Sequence, residues 1–287
     1  MEWIIGGQEQ IGQGWRMLMD SLAAGRAISL PALGTGAAMF CARYAGAYAR
    51  VRRQFGIPIG RFEGVQEPLA RIAAYAYSLD AARKLTAASL DASEQPSVLS
   101  AILKYHATEK MRTALNDALD IHGGRGICDG PSNYLFGVYQ SVPVAITVEG
   151  ANILTRNLMI FGQGAIRCHP HLLNEMNAAA LEDPKESLEA FDKEIWAHIG
   201  GATSNVFRAL WHNLTFAVFT STPQVRGIGG MYRQLHAACV TFAVVSDLVM
   251  ATLGGGLKRR ESISARLGDI LSELYLMSCA LKRFESD

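Results

Sequence analysis

Val65-Gln66-Glu67-Pro68-Leu69-Ala70-Arg71-Ile72-Ala73-Ala74-Tyr75-Ala76-Tyr77-Ser78-Leu79 sets apolar side chains at positions 65, 69, 72, 76 and 79. Steps of four, three, four and three put all five on one face of a helix turning every 3.6 residues. A second run carries Val98, Ile102, Tyr105, Ala114, Leu115 and Ala118 and stops at His122-Gly123-Gly124, where glycine supplies a natural helix end. A third, Leu267, Ile270, Leu274, Met277, Leu281 and Phe284, alternates three and four throughout. The segment from about Trp15 to Arg53 is also helical in type, but Pro31 removes a backbone donor inside it and is expected to kink or divide the helix. Between these runs lie short Gly/Pro breaks. Only Val142 to Val148 looks β-like, and Pro143 counts against a strand there. The chain therefore reads as all-α, with antiparallel helices of bundle length.

Composition narrows the classes. The 287 residues carry 27 Lys+Arg against 26 Asp+Glu, a net charge of +1, so no global field attracts nucleic acid. With 49% hydrophobic residues the chain is not disordered, and 5 Cys do not make a disulfide scaffold. Charged residues make up 18%, below the ~25% usual for soluble domains, which calls for an oligomer or a covering partner. Met1-Glu2-Trp3-Ile4-Ile5-Gly6 is no signal peptide; it reads as the tail of a strand followed by a turn. Ala280-Leu281-Lys282-Arg283-Phe284 keeps helical periodicity nearly to the last residue, so both ends are expected to be cuts from a longer chain.

A composition shift places a domain boundary between Arg167 and Pro184. Beyond it, Ala237 to Leu253 is apolar but short for a span of ~20 residues and contains Asp247, which favours a buried bundle helix over a membrane segment. Peripheral contact with a bilayer stays open. There is no P-loop, no Gly-rich dinucleotide fingerprint, no nucleophile elbow and no Cys-x-x-Cys. Cys168-His169-Pro170-His171 is the only Cys/His cluster; with no second cluster beside it, no metal is expected.

Three segments carry more than a bundle joint requires. Arg52-Arg53-Gln54-Phe55-Gly56-Ile57-Pro58 ends a helix in two arginines: either they complement its dipole, or they grip an anion. Gly123-Gly124-Arg125-Gly126 has more glycine than a helix cap needs, which favours close backbone approach to a ligand such as a phosphate. Thr147-Val148-Glu149-Gly150-Ala151-Asn152 follows an apolar stretch, and Glu149 is the only acid between Asp129 and Glu175. Glu149 is either a first-turn acid with Thr147 as cap, or a catalytic base in an apolar pocket.

Together and in this order, over roughly Gly12 to Gly164, the segments resemble the C-terminal helical domain of the acyl-CoA dehydrogenases, with the chain closest to the long bacterial fatty-acid-oxidation type. The carriers are Arg52 before Phe55-Gly56, the Gly123-Gly124-x-Gly126 turn, and the Glu149-Gly150 step. The resemblance implies a four-helix bundle followed by additional helices. Residues 1–14 would be the exit from a missing β-domain, 15–167 the bundle, and 168–287 a helical extension. It implies FAD as cofactor, a fatty acyl-CoA as substrate, and Glu149 as the base that takes the α-proton. Arg52, Gln54 and Phe55 would lie at the FAD of a neighbouring subunit, Gly123 and Gly124 at its adenosine end, and Asn152 near the flavin. Arg26 and Gly150 would position the base, although Arg26 alone reads equally as half of a helix-packing ion pair. An electron-transfer flavoprotein would take the electrons, and a cytoplasmic homodimer or tetramer is implied, with membrane association as the alternative location. Departures are Glu63 and Asp120 where the family has Gln, Ala151 where it has Thr, and a slightly long stretch between Gly126 and Glu149. The two acids suit a pyrophosphate only if Arg52, Arg61 or Arg125 pairs with them. Two other readings remain: a catalytically silent helical dimerisation module, and an acyl-CoA oxidase. As part of a longer parent enzyme, the 287 residues alone are expected to be inactive.

Overall fold

The computed structural model describes residues 4–94, 96–223 and 227–287. Met1-Glu2-Trp3, the start of the stretch read as a strand tail, lies outside them. From Ile4 the chain makes turns and a 3-10 turn at Gln8–Gln10 rather than a strand. The described residues are almost entirely helical and form two compact units, Met1–Asn152 and Ile153–Asp287.

The first unit contains α1 (Gly14–Val51), α2 (Glu63–Asp91), α3 (Ser97–His122), the single turn α4 (Gly124–Ile127) and α5 (Phe136–Thr147). The helices α1, α2 and α3 pack mutually, and α5 lies against α3. Their meeting faces are lined with small residues. Ala38, Cys41, Ala45 and Ala49 of α1 are buried, as are Ala107, Ala114 and Ala118 of α3. The closest approach is at Gly34: a Cβ there would stand 2.5 Å from the carbonyl oxygen of Ala107. That gap is far inside van der Waals contact, so only glycine permits this helix crossing. Ile72 and Leu79 of α2 close the core over these faces, with Val65, Leu69 and Ala76 packed beside them as their spacing predicts. The Arg71 fork ties α2 to α3 by donating to both oxygens of Asp117, at 2.8 and 2.7 Å.

Two local expectations are corrected. Pro31 does not divide α1, which runs undivided from Gly14 to Val51 with Pro31 buried. Packing on both sides of the proline outweighs the one lost backbone bond. Val142 to Val148 is no strand; most of it belongs to α5. The Asn133 side chain starts that helix by accepting the N–H groups of Leu135 and Phe136, both at 3.0 Å. Val142 and Ala145 then fall on one buried face, with Val138 and Ile146 packed beside them.

The break after α1 is a β-hairpin. Strand β1 (Arg53–Gln54) pairs with β2 (Ile57–Pro58), Arg53 opposite Pro58 and Gln54 opposite Ile57. The two turn residues have φ 51° at Phe55 and 81° at Gly56. Positive φ at both central residues is the type I′ requirement, which glycine meets freely and phenylalanine meets at a cost.

The second unit opens on a six-residue π-helical segment, Thr155–Ile160, following the short α6 (Asn152–Leu154). Then come α7 (Phe161–Cys168), α8 (Leu172–Ala179), α9 (Pro184–Leu214), α10 (Gly229–Leu253) and α11 (Glu261–Ser286). Asp183 caps α9 by accepting the N–H of Lys185, with Pro184 in the first turn. Gly268 of α11 lies close against the π segment, where a Cβ would stand 3.3 Å from the Arg156 carbonyl oxygen. Arg156 clamps Asp269 of α11 with two hydrogen bonds. The α11 stripe is only half buried: Leu267, Leu274 and Leu281 are inside, while Ile270, Met277 and Phe284 are exposed. The helix from 229 to 259 is long and apolar enough to cross a membrane, with mean hydropathy 1.8, and 11% of that window is buried. Within this chain α10 is only partly buried. Phe207, Leu210, Trp211, Leu214, Phe216 and Phe219 are exposed too, so the low charge content shows up as uncovered apolar surface on this unit.

The contact at Gly34 yields a matched pair of predictions. Gly34→Ala overpacks the α1–α3 crossing and should destabilise the protein by about 1–3 kcal/mol. Gly36→Ala meets nothing within 4 Å and should stabilise α1 by up to ~1 kcal/mol. Urea denaturation of the two variants checks both signs.

Candidate functional site

The first unit brings the singled-out residues together in two groups. The first is built around Glu149. The helix α5 ends at Thr147, whose hydroxyl donates back to the Pro143 carbonyl and caps nothing downstream. The chain then turns through Glu149 at φ 55° and Gly150 at φ 93°. Glu149 is thus no first-turn acid of a helix. It occupies the left-handed region, which costs a non-glycine residue about 1–2 kcal/mol.

Two buried cations hold this turn. Arg26 of α1, 2% exposed, donates from Nε to the backbone oxygen of Glu149 at 2.9 Å. Lys104 of α3, 0% exposed, donates to the carbonyls of Gly150 and Ile146 at 2.7 and 3.2 Å, and to Oδ1 of Asn152 at 2.7 Å. Burial pushes the Lys104 ammonium down to about 8, and the Arg26 charge adds to that; Glu149 and Glu109 oppose it. Burial also lowers the Arg26 guanidinium, against the pull of Glu149.

The carboxylate itself is left over. The hydrogen bonds of Lys104 and the Nε bond of Arg26 go to backbone and amide oxygens, and the buried Oε2 of Glu149 has no hydrogen-bond partner among the described residues. Its Oε1 faces Gly25 of α1, where even a Cβ would sit 3.6 Å away. The turn therefore holds a half-buried glutamate whose buried Oε2 no described residue bonds.

Asn152, read from the sequence as lying near the flavin, turns its side-chain amide into the packing beneath the Glu149 turn. It is 3% exposed, accepts from Lys104, and donates to Thr108 and Glu109 at 2.9 and 2.8 Å. Its amide is fully occupied in bracing the Glu149 turn.

The second group lines an open cleft of about 860 Å³ between the end of α1 and the glycine turn, with Arg52, Arg53, Gly124 and Arg125 at its walls. Tyr48 stacks on His122 there at 4.1 Å. The His122 Nδ1 donates to the Ala118 carbonyl at 2.7 Å, so Nε2 accepts from the Tyr134 hydroxyl, and burial lowers the pKa of the ring. Gly123 has φ 57° and ψ −138°, a glycine conformation, and its N–H closes α3 onto Leu119 and Asp120. That N–H is therefore not free for a phosphate. Gln54 and Phe55 stand on the hairpin, with Phe55 93% exposed. Glu63 and Asp120 are exposed, and the ion pairs expected with Arg52, Arg61 or Arg125 are not found among the described residues.

Two family models match the chain. One, described as the acyl-CoA dehydrogenase C-terminal domain, covers residues 12–161. This chain belongs to the acyl-CoA dehydrogenase family. The other, acyl-CoA dehydrogenase, C-terminal, bacterial type, covers residues 166–287. A Mycobacterium tuberculosis protein named "Probable acyl-CoA dehydrogenase FadE10" is 28% identical over 290 residues, covering 96% of this chain and 42% of that protein. A 3-(aryl)acrylate reductase of Clostridium sporogenes is 34% identical over 146 residues, 50% of this chain and 37% of that one. An acyl-CoA dehydrogenase of Bacillus anthracis, solved with FAD, has the same fold with TM-score 0.71 at 20% identity, over 96% of this chain and 44% of that one. The chain thus spans less than half the length of the curated relatives it matches.

Sequence reasoning missed Lys104. Its signal was present: a lysine directly after Ala101-Ile102-Leu103, among the apolar positions of the helix. Lys104→Met removes the donor from three acceptors and should cost about 3 kcal/mol in urea denaturation. Because the folded pKa of about 8 lies below the ordinary lysine value of 10.5, the folded state loses the proton first. Wild-type stability should therefore gain between pH 8 and 10.5 relative to the variant, which lacks that increment.

Proposed function

We propose that this chain is the base-bearing part of an FAD-dependent acyl-CoA dehydrogenase, which converts a fatty acyl-CoA to a trans-2-enoyl-CoA. The observation that carries the reading is the unpartnered Glu149 oxygen, held in a strained turn by Arg26 and Lys104. A general base needs a free oxygen at a fixed place, and this turn supplies one while keeping both neighbouring cations on backbone carbonyls. Glu149 takes the α-proton of the thioester. The Glu149 backbone N–H is the chain's own candidate donor to the thioester oxygen, where negative charge develops. Arg26 and Lys104 add positive potential beside that charge.

FAD, when bound, supplies the acceptor for the β-hydrogen as hydride. The residues present suit it: the cleft walls carry Arg52, Arg53 and Arg125, which can take a pyrophosphate in bidentate fashion, and Gly124 leaves its floor without side chain. Gln54 and the exposed Phe55 project from the adjoining hairpin. Asn152 acts as a brace for the base. An electron-transfer flavoprotein is the proposed acceptor, and we assign the functional protein to a homo-oligomer. Because the chain matches less than half of each of these relatives, the 287 residues by themselves should hold FAD weakly or not at all and show no turnover.

The test uses a protein carrying these residues within a full family-length chain. Mixed anaerobically with palmitoyl-CoA, it should bleach its flavin absorbance, and Glu149→Gln should slow bleaching by about 10²–10⁴-fold. Equal bleaching in both would remove Glu149 from the base role. Stoichiometric peroxide in air would replace dehydrogenase by oxidase.

A further inference from the structure

We propose that the second unit holds a divalent transition-metal ion of the zinc class on His169, His198 and Asp247. These residues come from the loop after α7, from α9 and from α10, and their ligand atoms all lie within 4.8 Å of one another. All three are partly buried and line a cleft of about 390 Å³. The sequence reading passed over this site because His169 had no partner cluster nearby in the chain; the fold brings one from 29 and 78 residues away.

The ring of His198 decides the chemistry. Its Nδ1 donates to Glu175 Oε1 at 2.6 Å. In the neutral ring the proton is then on Nδ1, and Nε2 carries a lone pair. That lone pair stands 3.6 Å from Asp247 Oδ1. Two acceptors face each other, and a cation between them would satisfy both. The His–carboxylate pair behind the ligand atom is the outer shell that orients metal-binding imidazoles and raises their basicity. Tetrahedral ligands at 2.0–2.1 Å from zinc lie about 3.3 Å apart, so the 3.6 Å separation needs almost no adjustment.

His169 needs more. Its Nδ1 accepts the N–H groups of His171 and Leu172 at 3.3 and 3.2 Å, so without an ion its Nε2 proton goes to Asp247 at 2.8 Å. An ion taking Nε2 moves that proton to Nδ1, at the expense of two long contacts at the start of α8, and widens the His169–Asp247 gap by about half an ångström. Two imidazole nitrogens and one carboxylate oxygen suit zinc, cobalt or iron(II) better than magnesium or calcium, and leave a further position for water or a ligand. Ser246 lines the same cleft with a buried hydroxyl that has no partner.

The experiment uses the untagged full chain, stripped with chelator and titrated with zinc alone, with bound metal measured after gel filtration. One equivalent should stay on the wild type. His198→Gln and Asp247→Asn should each retain less than a tenth of it, and Glu175→Gln should weaken binding about 10–100-fold. His212→Ala/His236→Ala, which changes a histidine pair in ring contact outside this cluster, should bind as the wild type does. Cobalt should give the intense visible bands of a four-coordinate site in the wild type. Circular dichroism of each variant separates lost ligands from lost folding. Zinc retention no greater than that of a folded His198→Gln/Asp247→Asn variant would overturn the proposal, as would a full equivalent persisting in that variant. None of these readouts depends on flavin or on Glu149.

Discussion

The first unit depends on one close contact: the absence of a side chain at Gly34, which lets α1 lie on the backbone of α3 at Ala107. Arg26 sits about 12 Å along α1 from that point, and Lys104 one helical turn along α3. Moving the helices apart by even a methyl group would shift both cations relative to the Glu149 turn. The stripe of alanines on the two helices extends the same contact and makes the pair a stiff platform. Stiffness matters because donors left to search for their acceptors would not hold a strained turn.

What that platform holds is unusual in its division of labour. A buried Arg and a buried Lys beside a carboxylate would ordinarily form ion pairs with it. Here they bond to peptide and amide oxygens, and the carboxylate is influenced by their charge without being tied up by their hydrogens. The geometry therefore separates two tasks: position is set by hydrogen bonds to the backbone, and reactivity is left to the side chain. Asn152 completes the bracing by linking Lys104 to Thr108 and Glu109, so the turn is anchored on α3 through several contacts.

The second unit follows a different economy. Its polar contacts include the partly exposed Arg156–Asp269 clamp and the cluster of His169, His198, Asp247 and Glu175, while much of α9 and α10 exposes apolar side chains. A surface of that kind is what a chain with only 18% charged residues must produce somewhere. Its polar groups are accordingly few, and those that converge do so deliberately on one cleft.

Sequence alone determined the all-α class, the helices over 65–79 and 98–122, the Gly/Pro break at Phe55-Gly56, and Glu149 as the distinctive acid. These are local matters: periodicity, glycine at helix ends, and an isolated charge can be read without knowing what they touch. It misjudged Pro31 and Val142–Val148, because local penalties of a few kcal/mol were outweighed by burial on a helix face. It could not see that Arg26 and Lys104 bond to carbonyls, that Asn152 points inward, or that His198 and Asp247 reach His169. Those depend on which helix faces meet and at what distance, and contacts between residues 29 to 123 positions apart are decided only when the backbones pack.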